Sequence, residues 1–385
     1  MFIFCFTGDR FCIFLTSKLA QKKRLKHFRI FFLFFLISAA AYAGDTDTNY
    51  VQRFKNIFAA KVFLNKNNFT YAITPKNNSN FTKQQLKDAE VIFNPYIPPT
   101  MGVSLNIYGI GASYTFKLKS DFLDTMGRAT SAFKQFQMNI YGTKFGFEAY
   151  YQDYQRFYYH YKGDEELVKN YNSDIRAYQF GANAIMIFNG QKFSYNAAFN
   201  QTVLQKKSAG SMLLMMSLKF NELKADNLIP DSVKNYFGSY TELQRNRNYS
   251  YQMQLGYAFD LTKKSFYFSG LVAAGAGIQN QTYNFPMGKF YKIAFPLVGR
   301  GKASAGYNGK FLFTGLYANL DVSQSSIRSI RTQQMLYSYG VFLGFRAVKY
   351  TKSKGQLKAD AKRQKEAEKA AAKKKKEDAK KVKKK

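Results

Sequence analysis

The sequence predicts an all-β fold, an antiparallel transmembrane β-barrel of about 12–14 strands with a basic C-terminal extension. Three observations predict it. Segments of around ten residues alternate large apolar with small or polar side chains, the length a tilted strand needs to cross a bilayer. The polar face of these segments is mostly Gln, Asn, Ser, Gly and Ala, whereas the solvent face of a soluble sheet carries more Lys and Glu. Aromatic residues, 39 Phe and 29 Tyr with no Trp, crowd the segment ends, as in FEAYYQDYQRFYYHY at 147–161, where aromatic girdles belong. The rival fold is a soluble β-sandwich with the aromatic rows as its core.

Taken in order, the chain opens with a leader. Lys22, Lys23, Arg24, Lys26 and Arg29 precede the apolar run Ile30–Ala40, which is too short to span a bilayer, and Ala41-Tyr42-Ala43 follows. This is the pattern of a cleaved signal peptide over 1–43, with Gly44 as the mature N-terminus. Residues 1–21 lie upstream of the usual basic region, so translation is expected to begin nearer Lys22. Both cysteines, Cys5 and Cys12, fall in this leader. Disulfides, thiolate metal sites, cysteine nucleophiles and a lipoprotein anchor are thereby excluded from the mature chain.

Residues 44–348 form the expected barrel domain. Residues 44–100 read as strand with polar gaps. From there the two-residue period recurs. It runs through Val103, Leu105, Ile107, then Phe136, Met138, Ile140, then Phe193, Tyr195, Ala197, Phe199, then Met212 to Phe220, and last through Tyr337 to Phe345. It is clearest in SYQMQLGYAFDL, residues 250–261. Tyr251, Met253, Leu255, Tyr257, Phe259 and Leu261 are expected to face lipid, and Gln252, Gln254 and Asp260 the lumen. Asn189-Gly190 and Asn308-Gly309 are type I′ hairpin signals. Longer connections are expected near 118–132, 158–175, 222–248, 283–292 and 323–333. Long loops near 204–209 and 222–248 come in succession, so either a strand is missing from this reading or one inner turn is long. Gly340-Val341-Phe342-Leu343-Gly344-Phe345 fits the last strand of a chain handled by the barrel-insertion machinery. Gly270, Gly275 and Gly277 lack the helix context of a nucleotide loop and read as strand glycines.

The net charge of +34 is concentrated at the chain ends. The tail, 349–385, carries 17 Lys/Arg against 5 Asp/Glu and no apolar stripe, so it has no core to bury. It reads as a disordered or helical extension able to meet an anionic lipid or an acidic polymer. A secreted chain gives no reason to invoke nucleic acid.

Three stretches resemble an uncharacterised Bacteroidetes envelope family, domain of unknown function 4421. They are FNPYIPPTMGVSLNIYGIGASYTF (93–116), FQMNIYGTKFGFEAYYQDYQRFYY (136–159) and FNGQKFSYNAAFNQTVLQKKSAGSMLL (188–214). The likeness spans most of 50–348 and touches neither leader nor tail. It implies an outer-membrane-type barrel with no assigned activity.

Chemistry is sparse. The mature chain's single histidine is His160, so His/Cys metal sites are not available. No catalytic, cofactor or metal residue is assigned. His160 near Asp153, Asp164, Glu165 and Glu166 keeps open a barrel enzyme acting on lipid or peptide, although no motif marks a partner serine. Asp164-Glu165-Glu166 reads as a solvated loop before a cation site. Lys206, Lys207, Ser208, Gly210 and Ser211 form a turn able to hold an anion or lipid headgroup, with a structural turn as the alternative. The function expected is a non-enzymatic outer-membrane barrel, a structural envelope component or narrow channel. A passive anion-favouring channel is the alternative. An even strand count would leave both termini, and the tail, in the periplasm.

Overall fold

The computed structural model describes residues 46–54, 58–76, 78–118, 130–163 and 170–347. The leader, Asp164-Glu165-Glu166 and the tail lie outside the described residues. Fourteen strands form one closed antiparallel sheet. They are β2 (Phe58–Pro75), β3 (Val91–Asn94), β4 (Thr100–Ile107), β5 (Ile110–Lys117), β6 (Ala132–Tyr141), β7 (Phe145–Tyr161), β8 (Asn170–Ile187), β10 (Ala209–Lys224), β11 (Arg245–Lys263), β12 (Phe266–Phe285), β13 (Gly288–Ala294), β14 (Leu297–Asn308), β15 (Leu312–Ser326) and β16 (Ile330–Ala347). β16 pairs with β2 along its whole length and closes the ring. Closure leaves no exposed strand edge along the ring, the condition for a sheet in hydrocarbon; among the described residues of this sheet only β13, beyond it, pairs on one side alone.

The strands act as twelve staves at the end where the chain enters and leaves. β3 and β4 both pair with β2 and make one interrupted stave. β13 and β14 both pair with β12 and make another, broken at Phe295-Pro296. Towards the far end β4, β5 and β6 have stopped, and β3 joins β2 directly to β7. Ten strands surround the lumen there, with β13 paired to β12 alone. Close approach between staves needs glycine at Gly275, where a Cβ would lie 1.9 Å from the Met253 carbonyl oxygen.

Period two sorts the side chains on β11: Tyr251, Met253, Leu255, Tyr257 and Leu261 are exposed, Phe259 is half-buried, and Gln252, Gln254 and Asp260 are buried. Ten strand steps from Tyr251 to Leu261 cover about 33 Å, and a tilt of about 40° projects this to about 25 Å, the height of a barrel's apolar band. No helix among the described residues is long and apolar enough to cross a membrane.

Several sequence expectations are corrected. The row Phe193, Tyr195, Ala197, Phe199 is not a strand: Tyr195–Phe199 is a helix, α2, started by the Ser194 side chain accepting from the Ala197 amide. Its neighbours 196–198 are all buried, so the segment has no exposed face for a strand's alternation to report. Asn189-Gly190 accordingly opens a long insert, 188–208, and not a tight hairpin. That insert is the long inner turn that disturbs the alternation of loops. The loops expected at 283–292 and 323–333 are short turns, because β12, β13, β15 and β16 run through them. The aromatic run 147–161 divides: Tyr151 is exposed, but Tyr154 and Phe157 are fully buried inside the barrel.

The far end holds the helix α1 (Lys83–Asp88), capped by Thr82 and Gln85 in a reciprocal box, and the long connection 225–244 with two 3₁₀ turns, Asp231–Tyr236 and Gly238–Tyr240. The near end holds the insert, whose β9 (Leu204–Gln205) pairs with β1 (Val51–Gln52) of the N-terminal segment.

Candidate functional site

Any activity of a barrel depends first on whether its lumen is open. Here it is packed at both ends. At the far end, Leu228, Ile229, Val233, Phe237, Tyr240 and Leu243 of the 225–244 connection descend into the ring. They meet inward residues of the wall, among them Phe69, Tyr154, Phe157, Ile175 and Tyr283, in one apolar core. Tyr240 stands edge-on to Tyr283 at 5.2 Å, and burial pushes its phenol above the ordinary value. Pro230, in extended conformation, stands at the entry to the first 3₁₀ turn.

At the near end α2 fills the mouth. Tyr195 and Ala198 pack on Ile185, Leu213 and Leu271 of the wall. Asn196 donates to the Tyr141 carbonyl at 2.9 Å, and Asn200 to Asn139 at 3.0 Å. Arg346 of β16 is buried and bolts the insert to the wall, donating to the Gln201 carbonyl at 2.9 Å and the Gly309 carbonyl at 2.6 Å.

Between these two plugs lies a polar chamber with two adjoining cavities of about 140 Å³ each. Its centre is a charge cluster. Arg300 and Lys302, two residues apart on β14, share the inward face. Lys302 Nζ lies 2.9 Å from Glu148 Oε1 of β7 and 3.1 Å from the Tyr195 hydroxyl of α2. Arg300 Nε donates to Asp321 of β15 at 2.8 Å, and its Nη1 lies 3.6 Å from Glu148. Tyr141 and Asn183 donate to Glu148 at 2.5 and 3.0 Å. Lys219 of β10 stands 3.7 Å from Asp321. Lys61 enters the second cavity, 5.2 Å above the Phe342 ring. Lys61, Lys219, Arg300 and Lys302 against Glu148 and Asp321 leave the chamber two positive charges. Glu148 thus ties its own stave, β7, to β6, β8, β14 and the plug. The arrangement holds one carboxylate between two cations and two phenol hydroxyls, those of Tyr141 and Tyr195.

The residues singled out from sequence lie elsewhere or on the chamber wall. Gln252 and Gln254 are buried on the inward face of β11, with Oε1 atoms that have no protein partner. Asp260 lies further along the same face, accepting from Thr262 at 3.0 Å. His160 is at the far end of β7, in register opposite Ile92 of β3, twelve residues along the strand from Glu148. The polar groups of the 206–211 turn are taken up within the chain. Lys206 Nζ donates to the Thr48 carbonyl at 2.8 Å, and Lys207 lies 5.5 Å from the Tyr50 ring. Ser208 accepts from the Thr262 amide, Ser211 accepts from the Asn189 amide, and Gly210 lies against Tyr257. Among the described residues no group of three or more His, Cys, Asp or Glu gathers to hold a metal ion. The Glu148–Arg300–Lys302 cluster was missed from sequence. Its signal was there: two cations two residues apart in GRGK, on a face otherwise lined by neutral residues.

Solved structures with some likeness to the chain are outer-membrane proteins. The outer membrane protease OmpT from Escherichia coli is 8% identical, with 76% of this chain and 97% of that one covered and a TM-score of 0.37. The β domain of the Bordetella autotransporter BrkA is 10% identical, covering 74% and 98%, with a TM-score of 0.25. The Pseudomonas putida toluene transporter TodX is 8% identical, covering 75% and 89%, with a TM-score of 0.24. At such identities none of their activities passes to this chain. No curated protein matches it. A family model does match, over residues 45–346, and the chain belongs to the family described as Domain of unknown function (DUF4421).

Proposed function

We propose that this protein is an outer-membrane β-barrel with a closed lumen, a non-enzymatic structural component of the envelope and not a conducting pore. The observation that carries the reading is the double packing of the lumen, by an apolar core at one end and by α2 at the other. The exposed apolar rows on a closed ring support the membrane location, since bare apolar rows of this extent on a soluble protein would aggregate. Outer-membrane lipid is then the first partner, and the barrel-insertion machinery the second. Both ends of the chain are periplasmic in this reading, and residues 349–385 offer positive charge to an acidic polymer or anionic lipid there.

Fractionation with heat-modifiable gel migration tests it. The protein is expected to sediment with the outer membrane and to run faster unboiled than boiled. Recovery as a soluble periplasmic protein with no mobility shift would overturn the reading.

A second reading, an anion-favouring channel, draws on the excess of lumenal cations at Lys61, Lys219, Arg300 and Lys302. It requires both plugs to leave the lumen. α2 is held by polar contacts and by a smaller apolar cluster, whereas the far-end core is larger and continuous with the wall.

A further inference from the structure

The outer wall of β7, β8, β10 and β11 carries an ordered sequence of side-chain rows near the far end. An aromatic row comes first: Tyr151 stands opposite Phe180, Phe180 opposite Phe220, and Phe220 opposite Tyr249. One step outward lie Asp153, Tyr178, Glu222 and Arg247. One step further, Lys224 stands in register between Arg176 on β8 and Arg245 on β11. Three cations side by side on adjacent strands repel one another.

Two of the four acids nearby lie too deep to cancel them at the surface. By count the patch is balanced once Asp174 and Asp226, both exposed and lining the recess below, are included. By depth it is not. Asp153 and Glu222 are sunk, their side chains 10% and 3% exposed, while Arg176, Arg245 and Arg247 above them keep 39%, 36% and 34%. Asp153 engages Arg176 at 2.7 Å and Glu222 engages Arg247 at 2.7 Å. Arg245 reaches Glu222 only at 3.7 Å, and Lys224 has no ion pair among the described residues. Arg176, Lys224 and Arg245 face a recess of about 410 Å³, flanked by Gln155 and Asn284 of the same row. Asp174 Oδ2 is occupied by the Asp226 amide at 2.5 Å.

We propose that this recess binds the phosphate of a lipid headgroup in the leaflet at the far end of the barrel. The position selects a lipid. Two strand rows span about 13 Å from the aromatic residues to the cations, which sets the cations at headgroup height when the aromatic row lies at the interface. Guanidinium and ammonium groups held side by side match phosphate oxygens. The proposal rests on the membrane-barrel reading above.

The full chain purified in detergent can be titrated with diphosphorylated lipid A and read by native mass spectrometry. The double variant Lys224→Gln/Arg245→Gln leaves the Asp153–Arg176 and Glu222–Arg247 pairs intact, and Lys289→Gln on β13 serves as a control. The double variant is expected to bind lipid A roughly tenfold or more weakly, and the control to match the parent. The dephosphorylated lipid should bind the parent as weakly as lipid A binds the double variant. Equal affinity of parent and double variant would overturn the site. Displacement of lipid A by millimolar inorganic phosphate would overturn the lipid assignment in favour of free phosphate. The same preparations are run unboiled and boiled. A parent chain without a heat shift fails the barrel reading itself, whereas a heat-modifiable variant that keeps its lipid fails the site alone.

Discussion

The two halves of the lumen solve the same problem with different chemistry. At the far end the ring closes over a dry core of aromatic and aliphatic side chains, fed by the 225–244 connection. At the near end α2 packs Tyr195 and Ala198 on a smaller apolar cluster and adds amide hydrogen bonds and the Glu148–Lys302–Tyr195 contacts. The apolar plug is continuous with the wall and gains from every buried ring. The near-end plug adds to its apolar packing a few directed contacts around one carboxylate. The difference teaches where each half should be fragile: to lost volume above, to lost charge or hydrogen bonds below.

The largest effects should come from striking each half in its own terms. Phe157→Ala removes a fully buried ring from the far-end core and should cost about 3–5 kcal/mol. It would be read as a lower midpoint of the unboiled-to-boiled transition. Glu148→Ala strips Lys302 of its carboxylate and leaves Arg300 with Asp321 alone. Loss of one member of a buried ion pair costs about 3–5 kcal/mol, whereas Glu148→Gln should cost less because it keeps the hydrogen-bond acceptor. If Glu148→Ala melted like the parent, the near-end plug would not depend on its charges.

A smaller effect is expected on the outside. Leu255 lies mid-row on the exposed face of β11, and Leu255→Arg should destabilise by about 2–4 kcal/mol if it lies near the bilayer midplane. Insertion and denaturant resistance equal to the parent would count against lipid on that face. The smallest effect is Tyr195→Phe, which removes one hydroxyl from Lys302 and should cost about 1 kcal/mol. The sharper readout is local: trypsin should cut after Lys206 or Lys207 of the insert faster than in the parent, with the barrel otherwise intact.

Much of the wall was legible in the sequence because strand alternation is local. Tyr251 to Leu261 announce two unlike faces without reference to any other strand. The contents of the lumen were less legible, since period two does not say which aromatic row points inward. Tyr154 and Phe157 look like girdle residues until β3 is seen to pair with β7 and narrow the ring around them. Phe193 to Phe199 imitate a strand over four positions, too few to reveal that Ser194 starts a helix. The cluster joins Glu148 to Lys302, 154 residues apart, so only closure of the sheet brings it together. The cation row on the outer wall depends on the register of three strands, and the sequence does not print register.

Conductance of the reconstituted protein in planar bilayers tests the closed lumen most directly. The structure predicts a bilayer that stays electrically silent with the intact chain, and still silent when 190–206 are replaced by a short Gly/Ser linker, because the far-end core remains. Stable, stepwise ion currents from the intact chain would contradict it.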